Sequence, residues 1–133
     1  MPIKDILHDA FVHALIKAGG IVLTEQVLIK IPNRRLWVDI RAIRNGLRIL
    51  IEVKSFQYNG AAVEYLASAI GKYLLYQAVL EHIEVDLPLF LAVPTFAYEG
   101  ILSELIGQLV IQKSKIKLIV FDPEREEITQ WLD

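Results

Sequence analysis

WVDIRAIRNGLRILIEVK, residues 37–54, is the stretch on which the fold turns. Two apolar-rich runs flank Asn45-Gly46. A two-residue hairpin loop needs positive φ at both central positions, and Asn-Gly adopts it readily. With that loop Arg44 pairs with Leu47, and the register carried outward sets Asp39 opposite Glu52. Side chains alternate along each strand and cross-strand partners share a face. One face therefore carries Asp39, Glu52 and Lys54, while Val38, Ile40, Ile49, Ile51 and Val53 face the other way.

Directly opposed side chains have Cβ atoms roughly 4.5–5.5 Å apart, and like charges there are destabilising. A divalent cation resolves the repulsion. Hard oxygen ligands at this separation suit Mg²⁺ or Mn²⁺, with water or phosphate completing the shell. An edge hairpin with solvated charges, Lys54 neutralising one carboxylate, accounts for the same pattern without a metal.

The chain has 133 residues, the length of one domain spanning residues 1–133, and is 54% hydrophobic, enough for a substantial core. No apolar run reaches the length of a membrane span, and no basic region followed by an apolar signal stretch opens the chain. The absence of cysteine excludes disulfides and zinc-thiolate sites and fits a reducing, cytoplasmic setting. A net charge of −2 gives no global basic footprint. The charge is uneven, however. Lys30, Arg34, Arg35, Arg41, Arg44 and Arg48 are six of the 14 basic residues, and Asp39 is the only acid among them. A solvated strand surface explains this equally well as a patch around the acidic pair.

Ile3, Leu7, Ala10, Phe11, Ala14, Leu15 and Ala18 recur at three and four, predicting a helix over residues 2–18 that Gly19-Gly20 ends. Asp9 and His13 lie four apart on its polar face, where solvation is the ordinary explanation. His8 borders the apolar stripe. A first strand follows over 21–31 and stops at Pro32-Asn33. After the hairpin, Asn59-Gly60 opens a long helix over 61–82, with Glu64, Ser68, Lys72 and Tyr76 along one face. A strand over 87–93 is closed by Pro94, and a helix over 98–113 follows, weakened by Gly107. A buried strand over 115–121 comes next, and residues 128–132 suit an edge strand. The order α-β-β-β-α-β-α-β predicts an α/β fold, a mixed sheet covered by helices on both faces. Tyr73, Leu75, Phe96, Tyr98, Trp131 and Leu132 exceed the apparent needs of one small core, which suggests an interface.

Asp39, twelve intervening residues and then Glu52-Val53-Lys54 resembles the signature of the PD-(D/E)XK nuclease superfamily, and the α-β-β-β-α-β order resembles its restriction-endonuclease-like core. Across the whole chain the closer resemblance is to the XisH family, the fdxN-element excision controlling factors of cyanobacteria. The matching stretches are P-x-K-D-x-x-H (Pro2, Lys4, Asp5, His8), ALIK (14–17), Val38-Asp39, EVKSF (52–56), AIGKYLLY (69–76), LAVP (91–94) and KLIVFDPE (117–124).

The resemblance implies that Asp39, Glu52 and the Val53 backbone carbonyl hold a Mg²⁺ or Mn²⁺ ion. Lys54 would orient water or steady charge on the phosphate. The superfamily's Gln-x-x-x-Tyr pair falls on Lys72 and Tyr76, with lysine replacing glutamine. Where many members carry a first-helix glutamate, this chain has His8 and Asp9. Arg35, Arg41 and Arg48 share the motif face in the hairpin register and would grip backbone phosphates, which positions nucleic acid without reading its sequence. The implied function is control of DNA element excision, either as a metal-dependent endonuclease or as an inactive nuclease-fold accessory factor that binds DNA or proteins. The implied partners are DNA and an XisI-type protein, with a homodimer as the other expected assembly.

Overall fold

Asn45 and Gly46 take φ of 50° and 78°, and the ladder behind them runs from Arg44 opposite Leu47 to Ile40 opposite Ile51. That is the register expected from the turn. It joins two strands of a six-stranded sheet in the computed structural model, which describes residues 4–57 and 61–133. Pro2, Ile3 and the Asn59-Gly60 turn lie outside the described residues.

The first half of the chain contains α1 (His8–Lys17), β1 (Ile21–Ile31), β2 (Arg34–Arg44), β3 (Leu47–Val53) and α2 (Ala62–His82). The second half contains β4 (Leu89–Pro94), α3 (Thr95–Glu99), a 3₁₀ turn (Ile101–Ser103), α4 (Leu105–Ser114), β5 (Lys117–Asp122) and β6 (Glu127–Leu132). The strands lie in sequence order across the sheet. β1, β2 and β3 are antiparallel neighbours, β3, β4 and β5 are parallel, and β6 is antiparallel to β5. Parallel neighbours require crossovers. Here α2 makes one, and α3 with α4 makes the other.

Both faces are covered. Leu66, Ile70, Tyr73 and Leu80 of α2 pack with Leu50, Leu89, Leu91 and Val120 on one face. Phe11, Ala14 and Leu15 of α1 pack with Ile40, Ile51, Phe90 and Phe121 on the other. β4 is buried along its whole length, as a central parallel strand should be.

α1 begins at His8, later than its periodicity predicts. Asp5 explains the delay. Its carboxylate accepts the Leu7 N–H at 2.9 Å and the Ser55 N–H at 3.1 Å, tying the segment before the helix to the residues after β3. The single helix expected over 98–113 is broken, so the order after β4 is α-α-β-β. Gly100 leaves helical geometry at φ −95° and ψ −112°. A Cβ on Gly107 would lie 2.4 Å from the Ile101 carbonyl oxygen. Gly107 is therefore where α4 meets the backbone of the 3₁₀ turn rather than a weak point in one long helix. Residues 128–132 do form an edge strand, within β6.

The supposed surplus of large residues is mostly core. Tyr73 is buried, and its hydroxyl donates to the Leu89 carbonyl at 2.8 Å. Phe96, Tyr98 and Leu132 pack against the α2 cluster and Trp131 against the α1 cluster. Of the six, Leu75 is exposed.

The β1–β2 pair changes sides midway. Ile40 and Ala42 pack with α1, whereas Val38 and Leu36 pack with the α2 cluster. Gln26, opposite Asp39 in the register, has φ of 57°. A left-handed residue in one strand re-aims the side chains beyond it. Past that point the hairpin lies across α2, and the Tyr76 hydroxyl meets the Trp37 backbone.

Replacing Gly107 by Ala forces backbone against backbone. The expected cost is about 1–3 kcal/mol, typical of an overpacked site. Urea melts of the two proteins check it. Equal midpoints would show that α4 shifts freely and that the contact is not a constraint.

Candidate functional site

Beyond Ile40 and Ile51 the β2–β3 ladder stops, and two carboxylates take its place. The Asp39 N–H donates to Glu52 Oε1 at 2.9 Å, and the Val53 N–H donates to Asp39 Oδ2 at 2.8 Å. Each acid thus satisfies a backbone group of the opposite strand. Both are buried, Asp39 at 9% exposure and Glu52 at 1%. The Val53 N–H is thus turned toward Asp39 rather than toward β4.

Lys72 of α2 completes the cluster, with Nζ 3.0 Å from Glu52 Oε2. That is a close, charge-assisted contact, and the Lys72 ammonium is the partner of the buried Glu52 Oε2 among the described residues. Lys72 Nζ also lies 5.4 Å from the centre of the Tyr76 ring. One helical turn between them lets both side chains reach the same spot.

Burial pushes the Glu52 carboxyl up to about 7, and the charge of Asp39 adds to the rise while Lys72 opposes it. Burial also raises Asp39, against the Val53 N–H and the charges of Lys72 and His8. Burial pulls the Lys72 ammonium down, but the charge and hydrogen bond of Glu52 together with the charges of Tyr76 and Asp39 outweigh it, and the net shift is upward. Burial raises the Tyr76 hydroxyl, partly offset by Lys72.

His8 is fully buried at the start of α1. Its Nε2 lies 2.7 Å from Glu25 Oε1 on β1, and its Nδ1 has no partner among the described residues. His8, Asp9 and Glu25 bring ligand atoms within 4.8 Å of one another, although Asp9 faces solvent and pairs with Lys4 at 3.5 Å. His13, read with Asp9 as a spaced pair, instead meets Glu126 at 2.7 Å.

Lys54 follows β3 and lines a cleft of about 550 Å³ with Lys4, Asp5, Ser55, Tyr65 and Ser68. Among the described residues the ion pair to Glu52 comes from Lys72, not from Lys54. The arginines do not form a ring. Arg41 stands opposite Leu50 in a groove with Leu80 and Leu87, and Arg48 is exposed near the Asn45-Gly46 turn. Arg35 lies at the far end of β2 beyond the change of sides, so it does not share a face with Arg41. Arg44 stacks on Trp131, 3.7 Å from the ring centre. Glu25 and Gln26 had no signal in the sequence, because their roles depend on how β1 pairs with β2.

These features define a mixed α/β protein with a buried acidic pair at the end of its motif strand, a lysine from the next helix against it and an open cleft beside it. The chain belongs to the XisH family: the XisH protein family model matches residues 1–129. The chain is similar to an fdxN element excision controlling factor protein from Anabaena variabilis, at 31% identity and a TM-score of 0.90 over 98% of this chain and 100% of that one. It is also similar to an XisH family protein from Nostoc punctiforme PCC 73102, at 29% identity and a TM-score of 0.88 over 97% of this chain and 100% of that one. No curated protein sequence matches it. Among the described residues, no helix is long and apolar enough to cross a membrane.

A carboxyl raised in the folded state favours the protonated form. Its contribution to stability is full below the ordinary glutamate value of about 4.3 and is lost as pH rises through the folded value. For Glu52 that folded value is about 7. Without metal, the melting temperature should fall between about pH 4 and 7, and Glu52→Gln should flatten the fall. A parent whose stability rises across that interval would show that the pair is ionised and well compensated.

Proposed function

We propose that this chain is a DNA element excision controlling factor that hydrolyses phosphodiesters with a divalent metal held on a PD-(D/E)XK nuclease core. The observation that carries the reading is the buried Asp39–Glu52 pair, followed along the chain by Val53 and by Lys54, which lines the cleft. The strand and helix order through β4 agrees with that core. The name of the Anabaena variabilis relative supplies the excision role.

The donor set suits the ion. Asp39, Glu52 and the Val53 carbonyl offer only oxygen, as Mg²⁺ and Mn²⁺ prefer. Glu52 Oε2 is buried and faces the Lys72 ammonium, which holds the compensating positive charge beside the pair. A bound divalent ion there would polarise the phosphoryl oxygen and lower the pKa of coordinated water. The protein groups do the rest. The backbone N–H groups of Asp39 and Val53 fix the orientation of each carboxylate. Lys54 supplies positive charge at the cleft, where the scissile phosphate gains negative charge. The Lys72 ammonium stands beside the Tyr76 ring.

A second reading has its own support. The Lys72–Glu52 contact neutralises part of the site without metal, as expected of an accessory factor that keeps the fold and binds DNA or an XisI-type partner. In either reading the assembly contains DNA and a second protein, an XisI-type chain or another copy of this one.

Metal linkage separates the two. A divalent ion at a hundredfold excess over its dissociation constant stabilises the folded state by about 2.7 kcal/mol. At roughly 3–6 °C per kcal/mol for this size, saturating Mn²⁺ should raise the melting temperature by roughly 8–16 °C. Asp39→Asn should abolish the rise. In a cleavage assay, Lys54→Ala should slow the reaction by about 10²–10³. No Mn²⁺ shift in the parent, or an equal one in Asp39→Asn, would favour the accessory role.

A further inference from the structure

The end of the β1–β2 hairpin carries an electrostatic arrangement that folding does not explain. Lys30 and Arg35 are direct partners across the two strands, and Arg34 follows the turn opposite Ile31. All three are exposed, and none makes an ion pair among the described residues. Like charges directly opposed on a ribbon destabilise it. From Gln26 to Val38 the sequence contains no carboxylate to relieve them.

The ribbon is nevertheless well built. Val27, Ile29, Leu36 and Val38 pack against the α2 cluster, so alternation turns Lys30 and Arg35 away from α2. Leu28 and Trp37 pair on that same outer face, and Trp37 is partly exposed. Asn33 turns the chain with φ of 71° after Pro32. The tip encloses a groove of about 320 Å³ lined by Lys30, Ile31, Asn33, Arg34 and Arg35. Arg35 is four residues from Asp39, at most about 13 Å of strand. Trp37 stands between Arg35 and Asp39 along β2, and its backbone meets the Tyr76 hydroxyl.

We propose that the β1–β2 hairpin is a DNA-gripping arm, in which Lys30, Arg34 and Arg35 hold the phosphate backbone of a duplex so that it runs past the acidic pair. This rests on the reading of the chain as a DNA-acting factor and adds the element that holds the substrate. Phosphates would cancel the repulsion that the empty ribbon carries. A two-stranded ribbon also fits the width of a major groove, and cationic contacts to phosphates supply affinity and register without sequence reading.

The test is fluorescence anisotropy of the full chain on a labelled 25-base-pair duplex at several salt concentrations. The arm variant is Lys30→Gln/Arg34→Gln/Arg35→Gln. A control, Lys113→Gln/Lys115→Gln/Arg125→Gln, removes the same charge from other exposed positions. The arm variant should bind at least about tenfold more weakly, and its salt slope should shrink by about two to three, near 0.9 per lost phosphate contact. Its melting temperature without DNA should be unchanged or higher, since the opposed charges are gone. If the triple variant is less stable, the single change Lys30→Gln should still lower the slope by about one. Equal weakening by the control, undiminished binding by the arm variant, or tighter binding of the parent to single-stranded DNA or an RNA duplex would each overturn the arm. The Mn²⁺ melting shift is measured on the same variant. Retained shift with retained DNA affinity sinks the arm alone, whereas lost DNA affinity with no shift in the parent supports the arm and sinks the metal site.

Discussion

Two carboxylates bonded across a strand pair organise this molecule. Burying an ionised carboxylate is costly unless it is paired and hydrogen-bonded. Asp39 and Glu52 meet that requirement by exchanging places with the ladder, each accepting an N–H from the other strand. Hydrogen bonds to charged acceptors contribute about 1.5–3 kcal/mol, more than neutral ones. The exchange also spreads the end of the hairpin, because side chains now fill the space where main-chain bonds would draw the strands together. Every neighbouring element is set by that opening. α2 brings Lys72 to it, Gln26 turns the first strand away from it, and Asp5 anchors the approach to α1 at the next residues of β3.

The charge balance explains how two acids can be buried side by side. Two acids and one close ammonium leave an uncompensated negative charge when all are ionised. A proton relieves it, and burial together with the Asp39 charge raises the Glu52 carboxyl accordingly. Lys72 is long and stands at the end of a flexible stem, so it can neutralise Glu52 yet retreat toward the Tyr76 ring. A glutamine at that position would hydrogen-bond the acid without supplying charge. The lysine thus makes the buried acidic pair more tolerable.

The sequence revealed most where a single local rule decides. Asn45-Gly46 determined the register, and the register placed Asp39 beside Glu52 before any tertiary information entered. Helix periodicity found α2 and its Lys72–Tyr76 face. Misreadings arose where one residue overrides a periodic pattern. Asp5 postponed α1 by using its carboxylate on Ser55, fifty residues away. Gly107 looked like a propensity defect because its backbone contact with the 3₁₀ turn is invisible in one dimension. Alternation grouped Arg35 with Arg41, since nothing in the letters shows that Gln26 adopts left-handed φ. Lys54 was read as the neutralising partner because it is near in sequence, whereas Lys72 arrives from a helix packed above.

Arg44 and Trp131 tie together strands that are not neighbours. β6 is an edge strand with β5 as its sole ladder partner. Edge strands of this kind commonly fray first and exchange amide protons through local opening. Here the Trp131 ring stands edge-on to Phe90 of β4 and lies under the Arg44 guanidinium of β2. Glu126, just before the strand, meets His13, and the Arg125 carbonyl accepts from Lys17, both on α1. Peeling β6 away therefore breaks contacts with β2, β4 and α1 at once. The last strand of the sheet belongs to the cooperative unit that contains the hairpin, and it opens with the whole sheet rather than ahead of it.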